Sequence, residues 1–173
     1  MSHPVVPTAR SADPPACRRG APARGRRGGG FHVIVRFACH AEQDLMDAAQ
    51  SAFVLYDGRL TVAELHGLRL PHAELACLSA CETATGGVNL PDEAMHLAAT
   101  MQLAGYRHVI ATMWSIHDSS APDVATDVYT ALSHHGNPDP GNAARALHTA
   151  VAALRRDDPT DPLRWAACLH VGP

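Results

Sequence analysis

Two short apolar runs in this chain each end on a reactive side chain. Val33-Ile34-Val35-Arg36-Phe37-Ala38 leads into Cys39-His40, and Leu75-Ala76-Cys77-Leu78-Ser79-Ala80 leads into Cys81-Glu82-Thr83. A thiol is a strong nucleophile only as thiolate, and a neighbouring imidazole either takes its proton or, as imidazolium, holds the thiolate's charge. The same imidazole can protonate a leaving amine. If the two runs form adjacent parallel strands, their axes lie about 4.8 Å apart. Both reactive ends then emerge at the carboxyl edge of the sheet, where open α/β folds place their sites.

Strand alternation sends Cys39 and His40 to opposite sides, so only one of them faces a cleft. His40 is assigned to the site and Cys39 to the core. Cys77 lies mid-strand between Ala76 and Leu78 and reads as a small buried hydrophobe. Cys81 instead follows its strand in a small, polar turn. A Cys and a His ending two strands are also compatible with a purely structural pair, and these residues alone leave both readings open. A zinc site built from Cys39, His40, Cys77 and Cys81 fits poorly, because structural zinc favours close pairs such as C-x₂-C on a knuckle.

The elements that must position these residues follow from local patterns. Phe31 to Ala38 is β-branched and aromatic and begins after Gly28-Gly29-Gly30, which predicts a strand. A weaker strand is expected from Ala52 to Tyr56, ending at the Asp57-Gly58 turn signal. Thr61-Val62-Ala63-Glu64 has the form of a capping box and opens a short helix toward Gly67. A strand over Glu74 to Ser79 and a loop from Cys81 to Leu90 come next. A helix then carries Asp92 and Glu93 in its first turn, Ala94, Leu97, Ala98 and Met101 on one face, and Gly105 just past its end.

Arg107 to Met113 reads as a further strand. Ser119, Ser120 and Pro122 open a helix with Val124, Val128 and Leu132 at four-residue spacing. Pro138 to Asn142 interrupts the chain before a third helix bearing Leu147, Val151 and Leu154, and Trp165 to Val171 is expected to close as a strand. Strands alternating with long helices imply an α/β fold with a parallel sheet covered on both faces.

With 173 residues and 46% hydrophobic side chains, the chain is sized for one ordinary domain. All 14 basic residues are Arg, and with the abundant Ala, Gly and Pro this reads as GC-rich coding rather than Arg chemistry. Residues 1–30 hold six Arg against Asp13, while residues 31–173 hold eight Arg against 16 acidic residues. An acidic body argues against nucleic acid as a partner, since phosphate binding wants clustered cations on the folded surface. Residues 1–30, rich in Pro, Gly and Arg with no hydrophobic period, are expected to be a disordered tail. The five Cys do not form a secreted disulfide framework, and neither a leader segment nor a membrane span is apparent. The expectation is a cytoplasmic protein with no membrane partner.

Several ordered motifs then carry a resemblance. Phe37-Ala38-Cys39-His40, Asp57-Gly58-Arg59-Leu60-Thr61, Leu78-Ser79-Ala80-Cys81-Glu82-Thr83-Ala84, Asp92-Glu93, Ala104-Gly105-Tyr106-Arg107-His108-Val109-Ile110-Ala111-Thr112-Met113-Trp114 and Pro162-Leu163-Arg164-Trp165-Ala166 resemble the successive motifs of the bacterial CHAT domain. That family belongs to the caspase and separase clan of cysteine peptidases, and the resemblance spans residues 31–173. It implies a caspase-like three-layer α/β sandwich with a mainly parallel sheet. It also implies His40 as catalytic histidine and Cys81 as nucleophile, with the backbone N–H groups of Ala41 and Cys81 as oxyanion donors. No cofactor and no metal are implied.

Two positions depart from the pattern. Ala41 stands where the family usually has Gly, and Ser79 stands where clan relatives that cut after basic residues have Asp. Asp118, just after the Trp114 strand, and Glu82, beside the nucleophile, are further candidates for contact with substrate, although a helix-entry or surface role suits Asp118 better and a solvent-exposed turn suits Glu82 nearly as well. The resemblance also implies two strands and a helix ahead of the His40 strand, which the Pro/Gly/Arg tail does not supply. The expectation is therefore the carboxyl-terminal part of a CHAT domain, with an upstream domain or a partner chain completing its sheet. Two functions remain in view: a cysteine endopeptidase acting on protein or peptide substrates, and a degenerate, inactive CHAT fold serving protein interaction.

Overall fold

The computed structural model describes residues 33–42, 44, 47–79, 91–114, 121–133 and 138–173. The expected tail over residues 1–30 lies outside them. The first run forms strand β1, Val33–Phe37, and after a bend at Cys39 the chain re-enters extended structure as β2, His40–Glu42. Strands β3, Ala52–Leu55, and β4, Gly58–Thr61, follow as a hairpin. Thr61 then caps helix α1, Val62–His66, with both halves of the expected capping box in place: Thr61 Oγ1 accepts from Glu64 N–H, and Glu64 Oε2 accepts from Thr61 N–H.

The second apolar run is strand β5, Ala73–Leu78. Helix α2, Pro91–Ala104, leads to β6, His108–Thr112; helices α3, Ala121–Leu132, and α4, Ala143–Asp157, follow. The chain closes with helix α5, Pro162–Trp165, and strand β7, Cys168–Val171. The closing strand is shorter than its sequence suggests because Asp161 caps the Arg164 N–H and Pro162 sits in the first helical turn, which turns residues 162–165 into a helix.

The main sheet has the order β1-β5-β6-β7, with β1, β5 and β6 parallel and β7 antiparallel at the edge. The expected α/β architecture is present: a mostly parallel sheet with helices on both faces, as in a caspase-like sandwich. A second, antiparallel sheet, β2-β3-β4, was not foreseen. Its signal was the Asp57-Gly58 pair, which does not merely end β3 but turns the chain straight back into β4, with Leu55 opposite Gly58 and Gly58 at a positive φ of 138°.

Alternation along the central strands divides the core in two. Ala76, Leu78, Val109 and Ala111 face Leu97, Ala98 and Met101 of α2, Val62 and Leu65 of α1, and Phe53 of β3. Leu75, Cys77 and Ile110 face Val124, Val128 and Leu132 of α3 and Leu147, Ala150 and Leu154 of α4. Of the apolar positions read from helical spacing, Leu97, Ala98, Met101, Val124, Val128, Leu132, Leu147 and Leu154 are buried and Val151 is partly buried. Gly105, just past α2, has φ of 122°, and a Cβ there would collide with the Leu70 carbonyl, so only glycine allows α2 to turn into β6.

Two histidines meet at the β6–β7 edge. His108, buried, and His170 approach at 3.2 Å between Nδ1 and Nε2. Burial lowers the affinity of both for a proton; the Arg107 charge adds to this at His108 and is opposed by Glu74 and Asp139, and His108 adds to it at His170. A histidine whose folded pKa is lowered binds fewer protons than the unfolded chain below its ordinary value of 6.5, so stability falls as pH drops below that point. At the other extreme, burial pushes Tyr106 up to about 12 from its ordinary 10.0, so stability also falls as pH rises between these values. Urea midpoints are expected to decline below about pH 6.5, and His170→Gln is expected to flatten that decline. A midpoint independent of pH across this range would contradict the pairing.

Candidate functional site

The first requirement of the dyad is that the two runs be neighbours, and they are. β1 and β5 pair in parallel with Phe37 opposite Leu78, and the ladder closes with Ser79 N–H donating to Phe37 O at 2.8 Å. His40 and Cys81 each follow the last paired residue of their strand by three positions. A chain advances at most about 3.5 Å per residue, so each reactive residue is held within roughly 10 Å of backbone of an anchor that adjoins the other's.

His40 is positioned by packing on either side of it. Phe37 stacks on Phe53 of β3, with ring centroids 4.6 Å apart and planes 15° from parallel, which ties the end of β1 to the hairpin sheet. Cys39 then packs partly buried against the first core cluster, as alternation requires. His40 opens β2 opposite Val54 and is exposed, while Ala41, opposite Phe53, is buried at 5% exposure. Ala41 therefore packs its methyl group into the core from within a regularly paired strand, where extended backbone suits alanine. On the far side of the strand, Arg59 pairs with Glu42 at 3.1 Å, an exposed contact that steadies β2 only slightly.

Cys81, Glu82 and Asp118 lie outside the described residues. The segments that lead to them are described. Met113 N–H donates to Ala167 O at 2.8 Å and Trp114 Nε1 donates to Leu163 O at 2.7 Å, which holds the exit from β6, on the Asp118 side, against the chain around α5. The carboxyl edge is thus framed by the exits of β1, β5 and β6.

The four candidate zinc ligands do not converge. Cys39 belongs to the α2 side of the sheet and Cys77 to the α3 and α4 side, so one ion cannot reach both. Among the described residues, no three His, Cys, Asp or Glu side chains form a group able to hold a metal ion. Burial raises the Cys77 thiol pKa, more than the Tyr129 contact and the Arg36 charge lower it, so Cys77 stays a neutral core thiol.

Sequence reasoning missed Arg36 and Tyr129. Both line a cavity with Cys77, Ser79 and Thr112 at the carboxyl ends of the strands. The available signal was Arg36 itself, a charge in the middle of an otherwise apolar strand run.

Among the described residues no helix is long and apolar enough to cross a membrane. Compared with family models, residues 29–173 match the CHAT domain. Comparison with curated proteins gives no match.

The Phe37–Phe53 stack is the packing on which the position of His40 rests. Phe53→Ala removes a fully buried ring and is expected to destabilise the chain by about 3–5 kcal/mol, measured by urea denaturation. A loss below about 1 kcal/mol would mean that the hairpin sheet is not held through this contact.

Proposed function

The chain belongs to the CHAT domain family, and from that premise we propose that it is a caspase-like cysteine endopeptidase in which His40 and Cys81 form the catalytic dyad. The family places it generally in the caspase-like peptidase clan. The observation that carries the finer reading is the parallel pairing of β1 and β5, whose last rung joins Phe37 to Leu78 just before each reactive residue. A cytoplasmic setting accords with Cys77 as a reduced thiol in the core.

In this mechanism His40 and Cys81 exchange a proton to form the thiolate, which attacks the scissile carbonyl carbon. The backbone N–H groups of Cys81 and Ala41 stabilise the oxyanion that develops. His40, now imidazolium, protonates the leaving amine as the C–N bond breaks, leaving a thioester on Cys81. His40 then takes a proton from water as that water attacks the thioester, and the acid product and the free thiol are released. No cofactor or metal enters these steps. Glu82 and Asp118 are proposed to contact the substrate chain.

The substrate is a protein or peptide that reaches the carboxyl edge of the sheet. Among the described residues β1 pairs on one side only, and an upstream domain or a partner chain is proposed to complete the sheet there. Ala41, where the family usually has Gly, is the feature that favours the second reading, an inactive fold retained for protein interaction.

The two readings separate by labelling. Peptide acyloxymethyl ketones under reducing conditions are expected to modify Cys81 in the full chain, to leave Cys81→Ala unmodified at the peptide covering that position, and to react at least about tenfold more slowly with His40→Ala. No modification of Cys81 across a varied peptide set would favour the interaction module. In that case partners captured by the full chain should be unchanged by Cys81→Ala and His40→Ala.

A further inference from the structure

The main sheet ends at β7, an edge strand held on β6 by four residue pairs from Val109–Val171 to Thr112–Cys168. All four of its residues are half-buried. A short edge strand with little buried surface belongs to the part of a fold that opens most easily, so its side-chain contacts decide whether it stays in place. One of those contacts is polar. His108 Nδ1 on β6 and His170 Nε2 on β7 lie 3.2 Å apart, with the rings tilted by 31°.

A bond between two imidazole nitrogens needs a hydrogen on one and a lone pair on the other. The neutral pair and the singly protonated pair both meet that condition. The doubly protonated pair does not: it sets two N–H groups and two positive charges against each other.

The closed sheet offers no relief from that conflict. His108 is 4% exposed, and Gly172 lies over it so closely that a Cβ there would stand 3.1 Å from His108 Nδ1 and 2.6 Å from the Arg107 carbonyl oxygen. Water therefore reaches this ring when the end of β7 lifts. Burial is the largest influence on both rings and opposes a proton on each. Arg107 on β6 adds to it at His108, Glu74 on β5 and Asp139 ahead of α4 act the other way, and His108 itself acts against a proton on His170. Both carboxylates are already engaged, Glu74 at 3.9 Å from Arg107 and Asp139 with Gly141 N–H and Asn142 Nδ2.

We propose that His108 and His170 form a proton-operated latch on β7: the pair straps the strand to β6 while one nitrogen keeps its lone pair, and a second proton releases the strand while β1, β5 and β6 stay paired. Both protons come from solvent. Release uncovers the edge of β6 at Val109 and Ala111 and frees Met113 N–H from Ala167 O, so the exit of β6 loosens with the strand. The latch involves neither His40 nor Cys81 and stands apart from the endopeptidase reading.

The test is residue-resolved hydrogen exchange by NMR on the full chain, corrected for the intrinsic pH dependence of exchange. Met113 N–H bonds to Ala167 O, and bonded pairs alternate along an antiparallel ladder, so the Leu169 and Val171 amides bond to β6. Because opening takes up two protons, their protection is expected to fall by more than about tenfold from pH 6.5 to 5.5, and to lie at least about tenfold below that of β5 amides throughout. A single histidine with the ordinary value of 6.5 accounts for a fall of at most about sixfold over that range. His170→Gln, at a half-buried position that tolerates the change, is expected to show no more than this. The proposal is overturned if the unmodified chain falls by about sixfold or less, or if His170→Gln falls as far as the unmodified chain. It is equally overturned if β7 and β5 amides share one protection at every pH, since β7 then opens only when the whole chain unfolds.

Discussion

The arrangement depends on one backbone interaction, the parallel pairing of β1 with β5 that ends on Phe37 opposite Leu78 and closes with Ser79 N–H on Phe37 O. This ladder runs along β5, whose residues are almost all buried, and an unmade hydrogen bond there is expensive. They fix register as well as proximity, since a slip of one residue would carry the alternating Ile34, Val35, Arg36 and Phe37 to the wrong faces. Because both strands end at the same level, the chain leaves Phe37 and Leu78 from neighbouring points at the edge of the sheet. The thiol and the imidazole are separated by 41 positions in sequence but by one strand spacing at their anchors.

The two cores keep that ladder in place in different ways. The α3 and α4 side is an ordinary helix layer on a sheet. The other side is mixed, because the β2-β3-β4 sheet shares the α2 face and joins the end of β1 through the Phe37–Phe53 stack. This small sheet explains how a residue just past a strand end is held in place without a helix following it: His40 is the first residue of β2, and the buried neighbour Ala41 anchors it from below.

Much of this was legible in the sequence, and for physical reasons. The run Leu75 to Leu78 is continuous and apolar because a strand buried on both faces leaves no position for polar residues, and the half-buried run Ile34 to Phe37 beside it is apolar apart from Arg36. The helices were legible from Leu97 and Met101 or Val124, Val128 and Leu132, whose spacing matches the turn of a helix against a core. The capping box at Thr61 and the glycine after α2 are local chemistry that tertiary contacts do not override. Of the β2-β3-β4 sheet only the central strand was legible, because β2 has three residues and its pairing of His40 with Val54 is a long-range contact that no local window contains. The buried polar atoms of Arg36 and Tyr129 were equally hidden, since an unpaired donor is visible only once its neighbours are known. For the candidate site, the sequence pointed to His40 and to the adjacency of the two runs, and the strands bear out that adjacency.

The most direct measurement of the central claim is the pH dependence of alkylation at Cys81, followed by peptide-resolved mass spectrometry in the full chain and in His40→Ala. An imidazole within reach holds the thiolate's charge and brings the midpoint of reactivity below the ordinary thiol value of about 8.5. The account predicts such a lowered midpoint in the unmodified sequence and a return toward the ordinary value in His40→Ala. Identical profiles for the two chains, both with the ordinary midpoint, would contradict it.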